Sequence, residues 1–136
     1  MKASVSDQRS ILDIQKFDNQ AATLANKAAN LPELAEITST TIKSNNVRDL
    51  RIAAETELSD VKRELARAEG DVEQIVTRIE RDEKRLASGT GTPKELEQTQ
   101  HELGTLGARR SELEEVELEI MMRVDGIKDR IATLSQ

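Results

Sequence analysis

Helix-breaking residues are concentrated at one place in this sequence, residues 88–93, which read Ser-Gly-Thr-Gly-Thr-Pro. Gly89 can adopt the left-handed conformation that ends many helices. Thr92 can cap a new helix, with Pro93 at the first helical position, where a missing N–H costs nothing. Glu95 then completes a capping box with Thr92. Because these stop and start signals lie so close together, they predict two neighbouring helices joined by a tight antiparallel turn.

Apolar residues recur on both sides of this turn at steps of three and four, which is the spacing of a coiled-coil seam. Before the turn they are Ala54, Leu58, Val61, Leu65, Ala68, Val72, Ile75, Ile79 and Leu86. After it they are Leu96, Leu103, Leu106, Leu113, Val116, Ile120, Val124, Ile127, Ile131 and Leu134. The fold class is therefore predicted to be all-α: a long antiparallel coiled-coil helical hairpin with a kinked, extended N-terminal helix.

Some seam positions are irregular. Asp82 occupies one before the turn, Thr99 and Arg110 occupy two after it, and Glu117 also lies within the seam, beside Val116. Placing Val116 in the seam gives two consecutive steps of four, which predicts a stutter and a local unwinding of the supercoil. Folding the chain about its turn pairs residues whose numbers add up to about 182, so that Leu86 faces Leu96. Residues 47–136 then form the hairpin, with its tip at 88–93.

Residues 1–46 have no partner in the predicted hairpin, although they continue an apolar stripe and contain a proline, Pro32, that should end or kink a helix near residues 29–31. Three explanations stay open. The segment folds back at Ser44-Asn45-Asn46, it pairs with a second copy of the chain, or its own return arm is missing from this sequence. The candidate self-association residues are Ile11, Ile14, Phe17, Leu24, Leu31 and Leu34.

Composition argues against catalysis. The chain has no cysteine, one histidine (His101) and 1% aromatic residues, so neither a disulfide framework nor a cysteine metal site can form. A lone histidine on a charged helix is typical of a solvated surface, and the many carboxylates lie in no predicted pocket. We therefore expect this chain to have no catalytic activity and to bind no cofactor. The start lacks an apolar leader and no stretch is long enough to span a membrane, which predicts a cytoplasmic protein without membrane contact.

Basic residues gather on both sides of the predicted tip: Arg78, Arg81, Lys84, Arg85 and Lys94. They are candidates for binding an acidic partner or a nucleic-acid backbone. Glu80, Asp82 and Glu83 are interspersed among them in the sequence, and no aromatic residue accompanies them for base stacking. The net charge of -6 gives the chain no overall attraction to nucleic acid.

The sequence resembles the bacterial C4-type zinc-ribbon coiled-coil family, in which a helical hairpin precedes a small zinc ribbon. The resemblance rests on residues 12–18 (LDIQKFD), 31–34 (LPEL), 88–89 (SG), 92–97 (TPKELE) and 100–103 (QHEL). The ribbon itself is absent because there is no cysteine, so zinc is expected only if a C-terminal ribbon is missing. The return arm also ends early, as in a chain truncated within its second helix.

The resemblance implies an adaptor or chaperone-like role, since some members of that family bind the sigma-54 transcription factor or secretion and flagellar components, and RNA contact also occurs. The sequence therefore predicts a non-catalytic protein–protein interaction module. Two alternatives remain at this point. One is RNA binding through the basic tip, and the other is a structural rod that assembles with copies of itself, for example as a homodimer.

Overall fold

The computed structural model describes residues 2–136, which form three helices: α1 (Val5–Ala29), α2 (Pro32–Ser88) and α3 (Pro93–Leu134). Helices are the only regular elements among these residues, and the all-α prediction is confirmed. The chain divides into two compact units, one up to Val47 and one comprising Arg48–Gln136.

Both ends of α1 are fixed by local hydrogen bonds. At its start the Asp7 N–H donates to Ser4 Oγ at 3.1 Å, and the Ser4 N–H donates to Asp7 Oδ2 at 3.2 Å. At its end both the backbone and side-chain N–H groups of Asn30 donate to the carbonyl oxygen of Asn26, at 3.1 and 3.0 Å. Pro32 disfavours a helical conformation at the preceding residue, so the helix stops and α2 begins at Pro32 itself. The predicted break near residues 29–31 is confirmed.

The second helix runs without interruption through Ser44, Asn45 and Asn46. A fold-back at these residues, one of the three explanations offered for the N-terminal segment, is therefore wrong. Serine and asparagine each weaken a helix by only about 0.5 kcal/mol relative to alanine, whereas glycine or proline would be needed to stop it. Neither is present there.

The turn of the hairpin follows the predicted signals. Gly89 has φ 65° and Gly91 has φ 129°, both in the region that side chains disfavour. The Thr92 N–H donates to Glu95 Oε2 at 2.8 Å, and the Glu95 N–H donates to Thr92 Oγ1 at 3.3 Å. A Cβ atom at Gly91 would lie 3.0 Å from that same Glu95 Oε2. Glycine at this position therefore permits both the backbone turn and the capping box.

The core of the hairpin unit is a narrow aliphatic seam between α2 and α3. Its buried apolar residues are Ala54, Val61, Ala68, Leu106, Ile120, Val124 and Ile127. Leu58, Leu65 and Ile131 are half-buried against the same cluster. The seam contains no aromatic residue, because the only one in the chain is Phe17.

The predicted stutter in α3 is wrong. Val116 is 47% exposed, and Glu117 takes the half-buried position instead. The spacing from Leu113 through Glu117 to Ile120 is then four and three, which continues the regular heptad pattern. Glutamate can occupy such a position because its methylene groups cover the seam while its carboxylate reaches water.

Ion pairs cross between the two helices beside the seam. Glu57 Oε2 contacts Arg130 Nη1 at 3.0 Å, and Glu64 Oε1 contacts Arg123 Nη1 at 3.0 Å. Nearer the tip the polarity reverses, because Arg78 of α2 pairs with Glu102 of α3. The side chains are about half exposed, so each pair contributes roughly 0.2–1 kcal/mol. Their main effect is on the alignment of the two helices.

Candidate interaction surfaces

The N-terminal unit has no core of its own. Each described residue up to Val47 is exposed to solvent, including the apolar ones. Phe17 is 66% exposed, although large aromatic side chains are normally at least half-buried. Helical periodicity places the predicted stripe on one side of α1, since Ile14, Phe17 and Leu24 follow one another at steps of three and seven. The stripe is thus an apolar surface that nothing within its own unit covers.

The predicted self-association residues extend past the break between α1 and α2. Leu31 lies between the two helices and accepts a hydrogen bond at its carbonyl oxygen from the Leu34 N–H, at 3.1 Å. Leu34 belongs to the first turn of α2. The six predicted self-association residues therefore come from two helices and the link between them. Leu12 is also exposed but lies one residue after Ile11, about 100° around the helix and away from the stripe.

The predicted basic cluster is divided by the structure. Arg78 pairs with Glu102 of the neighbouring helix, and Arg85 lies close enough to Glu95 to affect it. The pKa of Glu95 is lowered mainly by the backbone hydrogen bond from Thr92, then by the Thr92 side chain, with a further contribution from the Arg85 charge. Two of the five cations thus face carboxylates of α3, which reduces their attraction for an external anion.

The acidic residues interspersed in this part of the sequence are divided by the helix, and only Glu80 stays next to a basic residue of the outer side, Lys84 at i+4. Asp82 points into the seam and is 7% exposed. Glu80 and Glu83 lie on the flank of α2 opposite Arg78 and Arg85, because each residue advances by about 100° around a helix. Arg81 and Lys84 are exposed on the outer side, as is Lys94 in the first turn of α3. Arg78 and Arg85 are exposed as well, so all five basic residues of the cluster remain accessible to solvent.

A second apolar surface was missed from the sequence. Leu118, Met121 and Met122 of α3 are exposed and lie outside the seam. Their spacing, i, i+3 and i+4, places them next to one another on the helix surface. This spacing could have indicated the surface from the sequence. It does so only when the heptad phase of the seam is known, because the phase decides which apolar residues face away from α2.

The remaining sequence predictions concern His101, metal binding and membrane insertion. His101 is exposed on α3. Within the part of the chain that the structure describes, no group of three metal-ligating side chains is brought together. The helices of residues 2–136 include none that is long and apolar enough to cross a membrane.

Comparison with known proteins identifies the hairpin. The CT398-like coiled coil hairpin domain matches residues 14–136. The chain belongs to this family. The match supports the hairpin part of the resemblance noted above, and it does not extend to a zinc ribbon. Uncharacterized proteins from two strains of Mycobacterium tuberculosis are 35% identical over 127 residues, which is 90% of this chain and 50% of each relative.

A solved structure agrees with the same assignment. A protein from Mycobacterium smegmatis superposes on this CT398-like chain with a TM-score of 0.82 at 30% sequence identity. The superposition covers 98% of this chain and 55% of that one. The chain therefore spans about half the length of the relatives it matches.

Proposed function

We propose that this chain is a non-catalytic protein–protein interaction module that binds a helix through its N-terminal apolar stripe. The supporting observation is that every described residue up to Val47 is exposed despite the regular apolar spacing of this segment. Most of the stability of a helix in a protein comes from packing of its amphipathic face, and α1 has no such packing within its own unit. Burial of each leucine, isoleucine or phenylalanine would contribute about 1.5–3 kcal/mol. A helix with a matching stripe supplies that burial.

A second copy of the chain is the first partner to test. Residues 1–46 carry five basic and five acidic residues, so their net charge is zero, while residues 47–136 carry 15 and 21 and account for the whole net charge of -6. Two N-terminal segments can therefore approach each other without net repulsion, which is not true of two hairpins. A homodimer formed in this way would be the structural-rod form of the proposal.

An adaptor role is the more specific form. It follows from the resemblance to the zinc-ribbon coiled-coil family, in which a hairpin accompanies a separate metal-binding part. A cysteine-held zinc ion would require residues other than these, because the chain has no cysteine. In this form the partner is a different protein, and we propose that the two meet in the cytoplasm.

Site-specific photo-crosslinking distinguishes these forms. A benzophenone side chain would replace Phe17 on the stripe, and in a matched variant it would replace Leu12, which is similarly exposed off the stripe. We expect adducts in intact cells from position 17 and few from position 12. An adduct of twice the chain's mass supports self-assembly, and a different mass supports an adaptor. Absence of adducts at 17, or equal yields at both positions, would overturn the proposal.

Solution mass gives an independent test. Light scattering over a range of concentrations should show a dimer that is weakened by Ile14→Gln and unaffected by Leu12→Gln. Glutamine has nearly the helix propensity of leucine and is slightly better than isoleucine, so neither change should melt α1. A chain that stays monomeric at high concentration excludes the self-assembling form and leaves the adaptor form.

Nucleic-acid binding through the tip is the competing function. The observation that favours it is the exposure of Arg81, Lys84 and Lys94 near the tip, although Lys84 lies at i+4 from Glu80 and Arg81 Nε lies 3.5 Å from Asp82 Oδ1. Such binding would weaken steeply with salt and would be lost on replacing Arg81 and Lys84 by glutamate. RNA binding that is absent at low salt, or unchanged in this variant, would exclude the tip as a nucleic-acid site.

A further inference from the structure

The apolar residues Leu118, Met121 and Met122 form a second exposed surface, which belongs to the hairpin unit. Leu118 is 58% exposed and Met122 is 75% exposed. The seam of α3 is already occupied at Ile120 and Val124, which are buried against α2 and lie on the other side of the helix. The exposed residues therefore contribute nothing to holding the hairpin together. We refer to Leu118, Met121 and Met122 as the outer patch.

The charges around the outer patch are acidic. Glu115 lies three residues before Leu118, Asp125 three residues after Met122, and Asp129 seven residues after it, so all three share the patch's side of α3. Asp125 contacts Lys128 at 3.5 Å, a long and exposed contact.

The arginines of the same stretch are directed elsewhere. Arg123 and Arg130 lie on the opposite flank of α3, where they pair with Glu64 and Glu57 of α2. The ion pairs that align the hairpin thus remove positive charge from the outer side of α3. What remains there is an apolar centre with a mainly acidic border, in which Lys128 contacts one of the carboxylates, Asp125.

We propose that the outer patch is a docking site for a basic amphipathic helix of a protein partner. Helix-on-helix recognition uses apolar anchors at the spacing seen here. Methionine adapts its shape to different partners because it is unbranched and polarizable. Lysine or arginine on either side of the partner's apolar stripe would meet the acidic residues Glu115, Asp125 and Asp129. The proposal is independent of the N-terminal stripe, which lies in the other unit.

Charge decides between this occupant and a second copy. Two outer patches brought face to face would place their carboxylates against each other, which is unfavourable. A basic helix gains from the same charges, and its association should be accelerated by them and weakened by salt. The partner is therefore expected to be a different protein.

The test uses the whole chain and a designed peptide of about 18 residues, roughly five helical turns. The peptide carries leucines at i, i+3, i+4 and i+7 and lysines elsewhere. A second peptide has glutamate in place of every lysine. Binding is measured by fluorescence anisotropy of the labelled peptide. We expect saturable binding of the basic peptide and none of the acidic one. Failure of the basic peptide to bind, or equal binding of both, would overturn the proposal.

Two pairs of variants locate the binding. The double variant Leu118→Gln, Met122→Gln should weaken binding of the basic peptide at least about tenfold, because it removes the central apolar anchors of the site. Leu12→Gln with Ile52→Gln, two exposed positions that belong neither to the N-terminal stripe nor to the outer patch, serves as the matched control and should have little effect. A loss shared equally by both pairs would mean general hydrophobic adhesion and would reject the outer patch as the site.

A charge control completes the design. Glu115→Lys with Asp129→Lys should weaken binding several-fold more than Glu80→Lys with Glu83→Lys, although both pairs change the net charge equally. Equal losses would show that the peptide responds only to the chain's overall charge, and the proposal would fail. Circular dichroism of each variant checks that the helices persist, which is expected because all four positions are exposed.

Discussion

Replacing Asp82 by leucine should stabilise the hairpin. Asp82 is 7% exposed, its Oδ2 atom accepts no hydrogen bond among the described residues, and its Oδ1 lies 3.5 Å from Nε of the exposed Arg81. A buried polar atom without a partner costs about 1–3 kcal/mol. A leucine in the seam would contribute about 1.5–3 kcal/mol of burial, offset by about 1–3 kcal/mol of packing strain. The net expectation is about 2 kcal/mol of added stability.

The assay is urea unfolding followed by far-ultraviolet circular dichroism at neutral pH. The midpoint should rise for Asp82→Leu while the slope with urea stays the same, since the surface exposed on unfolding hardly changes. Asp82→Asn removes the charge but keeps the shape and should gain less. Glu83→Leu, at an exposed neighbour, should change stability by less than about 0.5 kcal/mol. An Asp82→Leu protein no more stable than the original would refute the reasoning and would mean that water or another group satisfies this carboxylate.

Three further predictions follow from the helices. Gly104→Ala should stabilise α3 by about 1 kcal/mol in the same urea assay, because a Cβ there meets no atom within 4 Å; an unchanged midpoint would contradict this. Glu64→Arg should lower the stability of the hairpin slightly, and adding Arg123→Glu should restore that stability, with a coupling energy of about 0.5 kcal/mol in a double-mutant cycle. Additive effects of the two substitutions would show that the ion pair does not contribute. Because the pKa of Glu95 is lowered in the folded chain, its stabilisation is complete above glutamate's ordinary pKa and is lost as pH falls through the lowered value, so Glu95→Gln should flatten the acid limb of stability against pH. Thr92→Ala should cost about 1 kcal/mol at pH 7 but keep most of that limb, because alanine retains the backbone N–H.

Local signals made the ends of the helices predictable. The capping box of Thr92 and Glu95 and the restriction imposed by Pro32 act within a few residues, so the sequence alone specifies them. The position of Val116 was mispredicted because its residue type suggested burial, whereas the heptad phase of the neighbouring seam decides which side chain faces inward. Glu117 faces the seam because of that heptad phase and not because of its hydrophobicity.

Surface charge was harder to predict than the fold. Glu80 and Glu83 alternate with the basic residues along the sequence, and the helix moves them away from Arg78 and Arg85 but leaves Glu80 beside Lys84. The real neutralisation of Arg78 comes from Glu102, on the other helix, and depends on the register of the hairpin. Burial of Leu118 could not be judged either, because an apolar residue off one seam can pack against another element. The assignment of the N-terminal stripe to self-association stays a prediction.

The aliphatic seam gives this chain an unusual optical property. The chain has no tryptophan or tyrosine, and Phe17 is its only aromatic residue. It therefore has almost no absorption in the near ultraviolet and almost no intrinsic fluorescence. A tryptophan introduced at Met122 or at Phe17 would be the only indole in the molecule, and its emission would report on one surface at a time. The two exposed apolar surfaces can therefore be followed separately in mixtures with non-fluorescent partners.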